Sequence, residues 1–234
     1  MPILEVKNLT KIYRDGKKNN IALKNISFEL EENDHLAIIG PNGSGKTTLI
    51  KILTQITHPD SGLVLVNSNK MTKADKQSFG LMLGNSMLYH RLTLRQNLEF
   101  FANLYSLVEP QKRIEHLAKT LGFHDRLDDL VEGLSQGLMS RVAFARAIIH
   151  EPQILILDEP TNGLDPIASD KLRELVKSYK TVIISSHNLD EVIDIANKVL
   201  VINKNRLIYF GEIEKLKKDK DLKEVRETLV RMYE

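Results

Sequence analysis

The distribution of apolar residues along the chain predicts a protein built from both strands and helices. Residues 35–39, 154–157 and 181–185 form short apolar runs, which are typical of parallel strands covered on both faces. Helical spacing follows the first of these runs, at Leu49, Ile52, Leu53 and Ile56. This alternation predicts an α/β core.

The N-terminal region has a looser alternation, which predicts antiparallel strands. Residues 3–6 and 21–30 alternate between apolar and polar side chains, and the polar stretch 15–20 between them predicts a turn. Two further strands are predicted at 63–66 and 79–83. Together these runs predict further strands, antiparallel at the N-terminus.

The region from 90 to 134 changes to a helical period and predicts a mainly helical insert. Thr93 and Gln96 match a capping box, and a second amphipathic stretch covers 114–121. Pro110 and Gly122 are predicted breaks. The apolar stripe of the first stretch, which predicts packing rather than a ligand surface, consists of Leu94, Leu98, Phe101, Tyr105 and Val108.

Towards the C-terminus the pattern predicts further alternating elements. A helix is expected to stop before Pro152, another to start at Asp165-Pro166, and a third to start at a capping pair, Asn188 and Glu191. Residues 199–210 predict a hairpin. Residues 212–234 carry seven basic and seven acidic side chains, and we expect a solvated helix there.

Composition narrows the class of protein only moderately. The formal net charge is +2, so no general polyanion-binding field is expected, and no nucleic-acid partner. The absence of cysteine excludes a disulfide framework and cysteine-based metal sites. No apolar stretch approaches the roughly 20 residues that span a bilayer. We therefore expect a soluble protein that acts at a membrane only through a partner.

The most informative stretch is GPNGSGKTT, at residues 40–48. It fits the G-x-x-x-x-G-K-[ST] pattern between a predicted strand and a predicted helix, as a phosphate-binding loop requires. Its glycines allow several N–H groups to converge on a phosphate at a helix N-terminus, and Lys46 would reach the β- and γ-phosphates. The alternative is a glycine-rich turn that binds nothing. The predicted ATP-binding residues here are Gly40, Pro41, Asn42, Gly43, Ser44, Gly45, Lys46, Thr47 and Thr48.

The chain resembles the ATP-binding subunit of a bacterial ABC transporter of the export type over nearly its whole length. Four elements occur in that family's order: GPNGSGKTT, LSQGL at 134–138, ILILDEP at 154–160 and SSH at 185–187. TNGLDP at 161–166 lies where the family has its D-loop. The resemblance implies a P-loop NTPase core with an antiparallel β subdomain and a helical insert, and head-to-tail dimers that hold two ATP molecules.

The implied single domain covers residues 1–234. Within it we expect β-rich and core segments at about 1–34 and 60–83, the helical insert at 86–134, core at 135–211 and a helical tail at 212–234. Tyr13, just before the predicted turn, would stack on the adenine, although an ordinary half-buried strand tyrosine fits its position equally well.

The acidic pair after the strand at 154–157 suits hydrolysis of ATP. Asp158 and Thr47 would hold Mg²⁺, and Glu159 would act as general base for the attacking water. The alternative for the pair is a solvated acidic turn. His187 matches the family's switch histidine, which contacts the γ-phosphate, whereas a lone histidine in this place would most often just end a strand.

LSQGL at 134–138 is similar to the family's signature motif, and this signature-like segment would serve the opposite subunit of the dimer. Ser135, Gln136 and the N–H of Gly137 lie at a predicted helix start, where they could contact the γ-phosphate of ATP held by that subunit. Asp165 would join this interface, and it is also suited to cap the helix that begins at Pro166.

Two departures from the family pattern affect single residues. Gln136 and Leu138 replace the third and fifth residues of the commoner LSGGQ. The usual glutamine that links Mg²⁺ to the membrane partner is also absent, and the sequence reads Gly84-Asn85-Ser86. Asn85 offers the same amide oxygen and is our predicted ligand for ATP-bound Mg²⁺, while ungapped counting favours Gly84.

The resemblance implies an ATPase that energises export through a separate membrane permease, as a homodimer or paired with a second ABC ATPase, in the cytoplasm at the inner face of the cell membrane. The stretch 82–101 resembles exporters of antibiotics, bacteriocins or peptides, lipids or polysaccharides, in which a short helix of the permease docks nearby. We expect Leu88, Tyr89 and Tyr105 to contribute to that docking surface. A soluble ABC ATPase of translation or DNA metabolism, or a regulatory module with little hydrolysis, remains as an alternative.

Overall fold

The computed structural model describes residues 1–16, 18–83, 87–217 and 222–233, which form two compact units. The first unit contains Met1–Lys76 and Tyr179–Glu234, and the second contains Gln77–Ser178. Within the described ranges, no helix has both the length and the apolar character needed to cross a membrane.

Strands and helices alternate along the chain as the apolar pattern predicts. The strands are β1 (Leu4–Asp15), β2 (Lys18–Leu30), β3 (His35–Ile39), β4 (Ser61–Val66), β5 (Asn69–Lys70), β6 (Phe79–Met82), β7 (Ile154–Asp158), β8 (Thr181–Ser185), β9 (Lys198–Asn203) and β10 (Arg206–Glu212). The helices are α1 (Lys46–Leu53), α2 (Leu94–Leu104), α3 (Pro110–Thr120), α4 (Gln136–Ile148), α5 (Pro166–Lys177), α6 (Leu189–Ile195), α7 (Ile213–Lys217) and α8 (Leu222–Tyr233). Short 3₁₀ helices lie at Ala74–Ser78 and His124–Arg126.

The first unit contains an antiparallel sheet, in the order β2-β1-β4-β5. The predicted antiparallel strands are present, but β1 and β2 are longer than their apolar alternation indicates. They pair from Leu4 opposite Leu30 to Asp15 opposite Lys18, so the ladder of backbone hydrogen bonds extends the strands through the polar stretch.

The same unit contains the strands that carry the glycine-rich loop, in the order β10-β9-β3-β8. β3 is parallel to both β8 and β9, while β9 and β10 form the predicted antiparallel hairpin. The side chains of β3 from Leu36 to Ile39 are almost completely buried, as expected for a parallel strand covered on both faces. Parallel pairing brings the carboxyl ends of β3 and β8 to one edge, where α/β folds bind ligands.

The second unit combines a parallel pair of strands, β6 and β7, with four helices. The capping box of α2 forms both of its bonds, Gln96 N–H to Thr93 Oγ1 at 3.1 Å and Thr93 N–H to Gln96 Oε1 at 3.0 Å. Pro110 lies at the predicted break, which separates α2 from α3, and is the first residue of α3, where no N–H is needed. Gly122, with φ of 70°, follows the end of α3 as predicted.

The C-terminal segment differs from the predicted solvated helix. It forms two helices, α7 and α8, with Lys218 to Asp221 outside the described residues. Ile213 and Leu229 are completely buried, and α8 packs on β9 and β10. The sequence of this segment is dominated by charged residues, so the few apolar positions that pack on the first unit were not recognised.

Candidate functional site

The loop between β3 and α1 has a backbone that requires glycine at two places. Gly40 and Gly45 have φ of 149° and 112°, in the region that side chains disfavour. A Cβ atom on Gly40 would lie 2.0 Å from the Ile202 carbonyl oxygen, and one on Gly45 would lie 2.4 Å from that of Ala22. The loop therefore has to be glycine at these positions in order to pack against the strands beside it.

Hydrogen-bond donors converge inside this loop. Lys46 begins α1, and its Nζ donates to the carbonyl oxygens of Gly40 at 2.8 Å and Pro41 at 3.3 Å, so the ammonium group lies across the loop. The buried Oγ of Ser44 has no hydrogen-bond partner within the described residues. Thr47 is exposed in the first turn of α1, whose N–H groups need external acceptors. An unsatisfied hydroxyl beside an ammonium group and a helix N-terminus fits a bound phosphate.

His187 lies beside this loop. A cavity of about 290 Å³ is lined by β3, the loop and the end of β8, through Ile39, Gly40, Pro41, Asn42, Ser186, His187 and Leu189. The imidazole of His187 is exposed to solvent. The structure thus brings together the predicted switch histidine and the predicted phosphate loop, which are about 140 residues apart in sequence.

The predicted capping box after His187 forms only in part. Asn188 caps α6, with its Oδ1 accepting from the N–H of Asp190 at 3.0 Å. The carboxylate of Glu191 does not return to Asn188; it accepts a hydrogen bond from the buried Oγ of Ser186. Ser186 Oγ in turn accepts from the N–H of Asn188 at 3.0 Å, so this network holds the backbone on both sides of His187.

Tyr13 lies on β1 and is 40% exposed. Its ring faces Lys11, whose Nζ is 5.4 Å from the ring centroid, a distance at which a cation attracts an aromatic face. The ring is partly accessible to solvent, and its stacking on adenine stays a prediction.

In the second unit, β7 ends in the predicted acidic pair. Asp158 is buried at the last position of the strand, whereas Glu159 is partly exposed. Glu159 has φ of 53°, which is uncommon for a residue other than glycine, and its carbonyl accepts from the N–H of Asn162 at 3.2 Å. Backbone strain of this kind clusters at functional sites.

The signature-like segment begins α4, as predicted. Ser135 is the N-cap, and its Oγ accepts from the N–H of Leu138 at 3.3 Å, while Ser135 and Gln136 are exposed. Leu138 is buried, so the departure from glutamine at this position places an apolar side chain in the core. The N–H groups of Gln136 and Gly137 lie in the first turn, where no intrahelical acceptor is available.

The segment 161–166 packs directly against the start of α4. A Cβ atom on Gly163, which has φ of 78°, would lie 2.6 Å from Cγ of Gln136. Asp165 caps α5, with Oδ1 accepting from the N–H of Ala168 at 2.9 Å, which confirms its predicted structural role. A cavity of about 390 Å³ lies between α3, α4 and α5, and both Ser135 and Asp165 line it.

The predicted replacement for the glutamine is not described by the structure, and the predicted docking residue Leu88 is buried. Gly84 and Asn85, the alternatives for the missing glutamine, lie outside the described residues. Leu88 is only 6% exposed, so it is a core residue rather than part of a docking surface, because the loop after residue 86 turns it inward. The exposed aromatic side chains of this region are Tyr89 and Phe100, whose ring centroids are 5.1 Å apart.

Sequence reasoning missed Asn97, which organises this region. It is completely buried, and its side chain accepts from the N–H of Tyr89 at 2.8 Å and donates to the Tyr89 carbonyl at 3.1 Å. It also donates to the Thr93 carbonyl at 2.9 Å. The available signal was its position, one helical turn after Leu94 on the apolar face of α2, where a polar side chain needs partners.

A glycine-rich loop that collects donors at a helix N-terminus, with a parallel sheet behind it, is characteristic of the P-loop nucleotide-binding class. Comparison with known proteins gives the family within this class. The family "ABC transporter" matches residues 23–162, which is more than half of the chain. The chain belongs to the ABC transporter ATP-binding family.

Characterised relatives cover most of the chain. It is 36% identical to the ABC transporter ATP-binding protein NatA of Bacillus subtilis, over 87% of both chains. It is 34% identical to the linearmycin resistance ATP-binding protein LnrL of the same organism, over 89% of this chain and 69% of LnrL. It is also 34% identical to the glucose import ATP-binding protein GlcV of Saccharolobus solfataricus, over 90% of this chain and 63% of GlcV.

A solved structure has the same fold. The chain superposes with a TM-score of 0.83 and 25% identity on the dimeric ATP-binding cassette MJ0796 bound to ADP and Pi in a post-hydrolysis state, over 89% of this chain and 98% of that one. The resemblance inferred from the motifs is therefore confirmed, as is the P-loop α/β fold. The protein is an ATP-binding subunit of an ABC transporter and an ATPase.

Proposed function

We propose that this ATPase energises export through a separate membrane permease, as a homodimer or with a second ABC ATPase, and that it binds ATP with Mg²⁺. The observation that carries the ATP-binding part of the proposal is the cavity that Gly40, Asn42 and His187 line together. It joins a phosphate-binding loop to a histidine that can sense the terminal phosphate.

Within one subunit, the ATP phosphates would bind along residues 40–48, in place of the contacts that Lys46 Nζ now makes with its own loop. Thr47 and Asp158 are hydroxyl and carboxylate ligands of the kind that Mg²⁺ prefers, and Asn85 would complete the set. Bound Mg²⁺ would supply charge stabilisation at the β- and γ-phosphates. Glu159 would accept the proton of the attacking water.

The opposite subunit would contribute the start of its α4. Free N–H groups of Gln136 and Gly137 and the hydroxyl of Ser135 suit the γ-phosphate of ATP across the dimer. The contact between Gly163 and Gln136 would make the D-loop and the signature segment move as one piece, with Asp165 fixing the start of α5. The charge of ATP would then complete the interface and close the dimer.

The exposed rings of Tyr89 and Phe100 support docking of a membrane partner at α2, with the ring of Tyr105 below. The direction of transport rests on the resemblance to exporters at residues 82–101 and on LnrL, a relative named for linearmycin resistance. Antibiotics, bacteriocins or other peptides, lipids and polysaccharides are the proposed substrate classes. GlcV, named for glucose import, keeps import as the second direction to be tested.

The test of this function uses Glu159→Gln. The variant should bind ATP, turn it over at least about 100-fold more slowly than wild type and accumulate as a dimer on a sizing column with ATP and Mg²⁺. Glu132→Gln, the same change at an exposed position of the second unit, is the control and should behave as wild type. Wild-type turnover by Glu159→Gln would remove Glu159 from the role of base.

The membrane partner is tested with the same trapped variant. With ATP present, Glu159→Gln pulled from gently solubilised source cells should recover an integral membrane protein in near-stoichiometric amount. Tyr89→Ala with Phe100→Ala should weaken that recovery while ATP binding is kept, whereas Ile208→Ala, which removes another half-exposed apolar side chain, should not. Recovery of ribosomal or DNA-repair components without a membrane protein would favour the soluble class of ABC ATPase.

A further inference from the structure

Two side chains hold the strand β6 by its carbonyl groups: Arg146 in the last turn of α4 and His150, two residues after the helix ends. Arg146 Nη2 donates to the Leu81 carbonyl at 2.7 Å. His150 Nε2 lies 3.1 Å from the Phe79 carbonyl, and since a carbonyl only accepts, this nitrogen carries the proton. Arg146 and His150 are four residues apart, and their acceptors are two apart on β6. Both carbonyls therefore point to the same side of the strand, because alternate carbonyls of a strand share a direction.

The same two side chains are covered by α2. The guanidinium carbon of Arg146 lies 5.1 Å from the ring centroid of Phe101, and the ring of His150 stacks on Tyr105 with centroids 3.8 Å apart. Phe101 and Tyr105 are also four residues apart, so the contacts form two parallel rows. One row runs from the Leu81 carbonyl through Arg146 to Phe101. The other runs from the Phe79 carbonyl through His150 to Tyr105. We call these four side chains and two carbonyls the clamp.

The backbone contact beneath the clamp is equally close. A Cβ atom on Gly80 would lie 2.3 Å from the Ala147 carbonyl oxygen. Only glycine at position 80 therefore allows β6 to approach α4 this closely. β6 is at the end of its sheet, next to β7. Arg146 and His150 thus occupy carbonyl groups of an edge strand that would otherwise be open to pairing.

The clamp is not the arrangement that stability alone would favour. Arg146 is only 7% exposed, and no carboxylate of the described residues forms an ion pair with it. Its Nε and the Nδ1 of His150 are buried without hydrogen-bond partners in the described part of the chain. Burial lowers the pKa of Arg146 and of His150, and it raises the pKa of Tyr105. Apolar residues of similar volume avoid these costs, so the polar pair calls for a functional explanation.

We infer that Arg146 and His150 are positioning residues for ATP hydrolysis, which set the signature segment relative to β6 and α2. α4 is a single helix of 13 residues, so the clamp at one end and Ser135 at the other are joined by a rigid rod about 20 Å long. A small rotation at the clamp would displace Ser135 and Gly137. This inference rests on the proposed role of those two residues at the γ-phosphate of the opposite subunit.

The clamp also contacts the outer face of α2. The ring of Tyr89 stacks on Phe101 with centroids 6.3 Å apart, and Phe100 packs edge-on against Phe101 at 5.2 Å. The exposed rings therefore rest on the ring that covers Arg146. A partner that binds this outer face would press on the clamp, and through it on the helix that carries the signature segment.

The test compares two arginines near the C-terminal end of α4, each of which donates to a backbone carbonyl. Arg146→Met keeps the length of the side chain and removes the bond to Leu81. Arg113→Met is the matched control, because Arg113 Nη2 donates to the Ile148 carbonyl at 3.0 Å but is not bonded to β6. We expect Arg146→Met to lower kcat about tenfold, since misplaced catalytic groups slow the chemical step, and to raise the apparent KM for ATP, since the dimer closes less readily. Arg113→Met should keep kcat within about twofold even where its thermal stability falls.

A second measurement separates positioning from folding. In the Glu159→Gln background, Arg146→Met should need more ATP to form the dimer, although a fluorescent ATP analogue binds the monomer with unchanged Kd. Should Arg146→Met fail to fold by circular dichroism, His150→Phe takes its place, because it keeps the stack on Tyr105 and loses only the bond to Phe79. A folded clamp variant with wild-type kcat and wild-type dimerisation overturns the inference. An inactive wild type, or no dimer with Glu159→Gln alone, counts against the proposed function instead.

Discussion

Replacing Asn97 by alanine tests whether a buried amide organises the aromatic surface of α2. The side chain is completely buried and forms three short hydrogen bonds, two with the backbone of Tyr89 and one with the Thr93 carbonyl. The Asn97 amide bonds to both the N–H and the carbonyl of Tyr89, as the backbone of a neighbouring strand would. Alanine removes all three bonds and leaves the N–H and the carbonyl of Tyr89 without their partner.

The magnitude follows from these contacts. Each of the three lost bonds contributes about 1 kcal/mol net, and leaving a backbone donor poorly satisfied adds a cost of similar size, so the free energy of unfolding should fall by about 4 kcal/mol. Asn103→Ala is the matched control on the same helix, because Asn103 is exposed. That change should stay within about 0.5 kcal/mol, since it affects only solvent and helix propensity.

Urea denaturation followed by circular dichroism measures both variants, since the chain has no tryptophan to report by fluorescence. ATP binding should be kept in Asn97→Ala, because the glycine-rich loop belongs to the other compact unit. Association with the membrane partner should weaken, as Tyr89 loses its backbone support. Equal stability losses in Asn97→Ala and Asn103→Ala would refute the assigned role of Asn97.

Three further outcomes are expected. Gly45→Ala should reduce ATP affinity at least about tenfold in a nucleotide titration, because its Cβ would lie 2.4 Å from the Ala22 carbonyl oxygen; Gly43→Ala, with nothing within 4 Å, should lose less. Asp165→Ala should lower stability by about 1 kcal/mol in thermal melts through loss of the α5 cap, whereas Asp165→Asn should retain it. Leu138→Gln, which restores the commoner signature residue, should cost about 2 kcal/mol because position 138 is buried; a stability equal to wild type would contradict this.

Local pattern was sufficient for much of the secondary structure and for the phosphate loop. The buried strand before Gly40 and the helix after Lys46 follow from apolar spacing and from a fixed motif, both of which act over a few residues. The capping box of Thr93 and Gln96 and the cap at Asp165 were predictable for the same reason. Hydrogen bonds between near neighbours in sequence depend little on the rest of the fold.

Predictions failed where a side chain had more than one possible partner. Glu191 was expected to return to Asn188, but Ser186 on the preceding strand end offers it a buried hydroxyl. Leu88 was expected at the docking surface because the stretch 82–101 resembles exporters in which a permease helix docks nearby, but its side chain is buried, and burial depends on packing between distant parts of the chain. The apolar positions of α8 were masked in sequence by the charges around them.

The amino-acid sequence by itself determined the family, the order of strands and helices, and the residues able to hold phosphate, because these depend on residue type and short spacing. Only the tertiary structure decided that His187 shares a cavity with the glycine-rich loop, and that Arg146 and His150 hold carbonyl groups of β6. These contacts join residues 65 to 147 positions apart in the sequence, taking Gly40 and His187 as the most distant pair and Leu81 and Arg146 as the nearest. No local period encodes such pairs, since they form only when the packing of strands and helices brings the two backbones together.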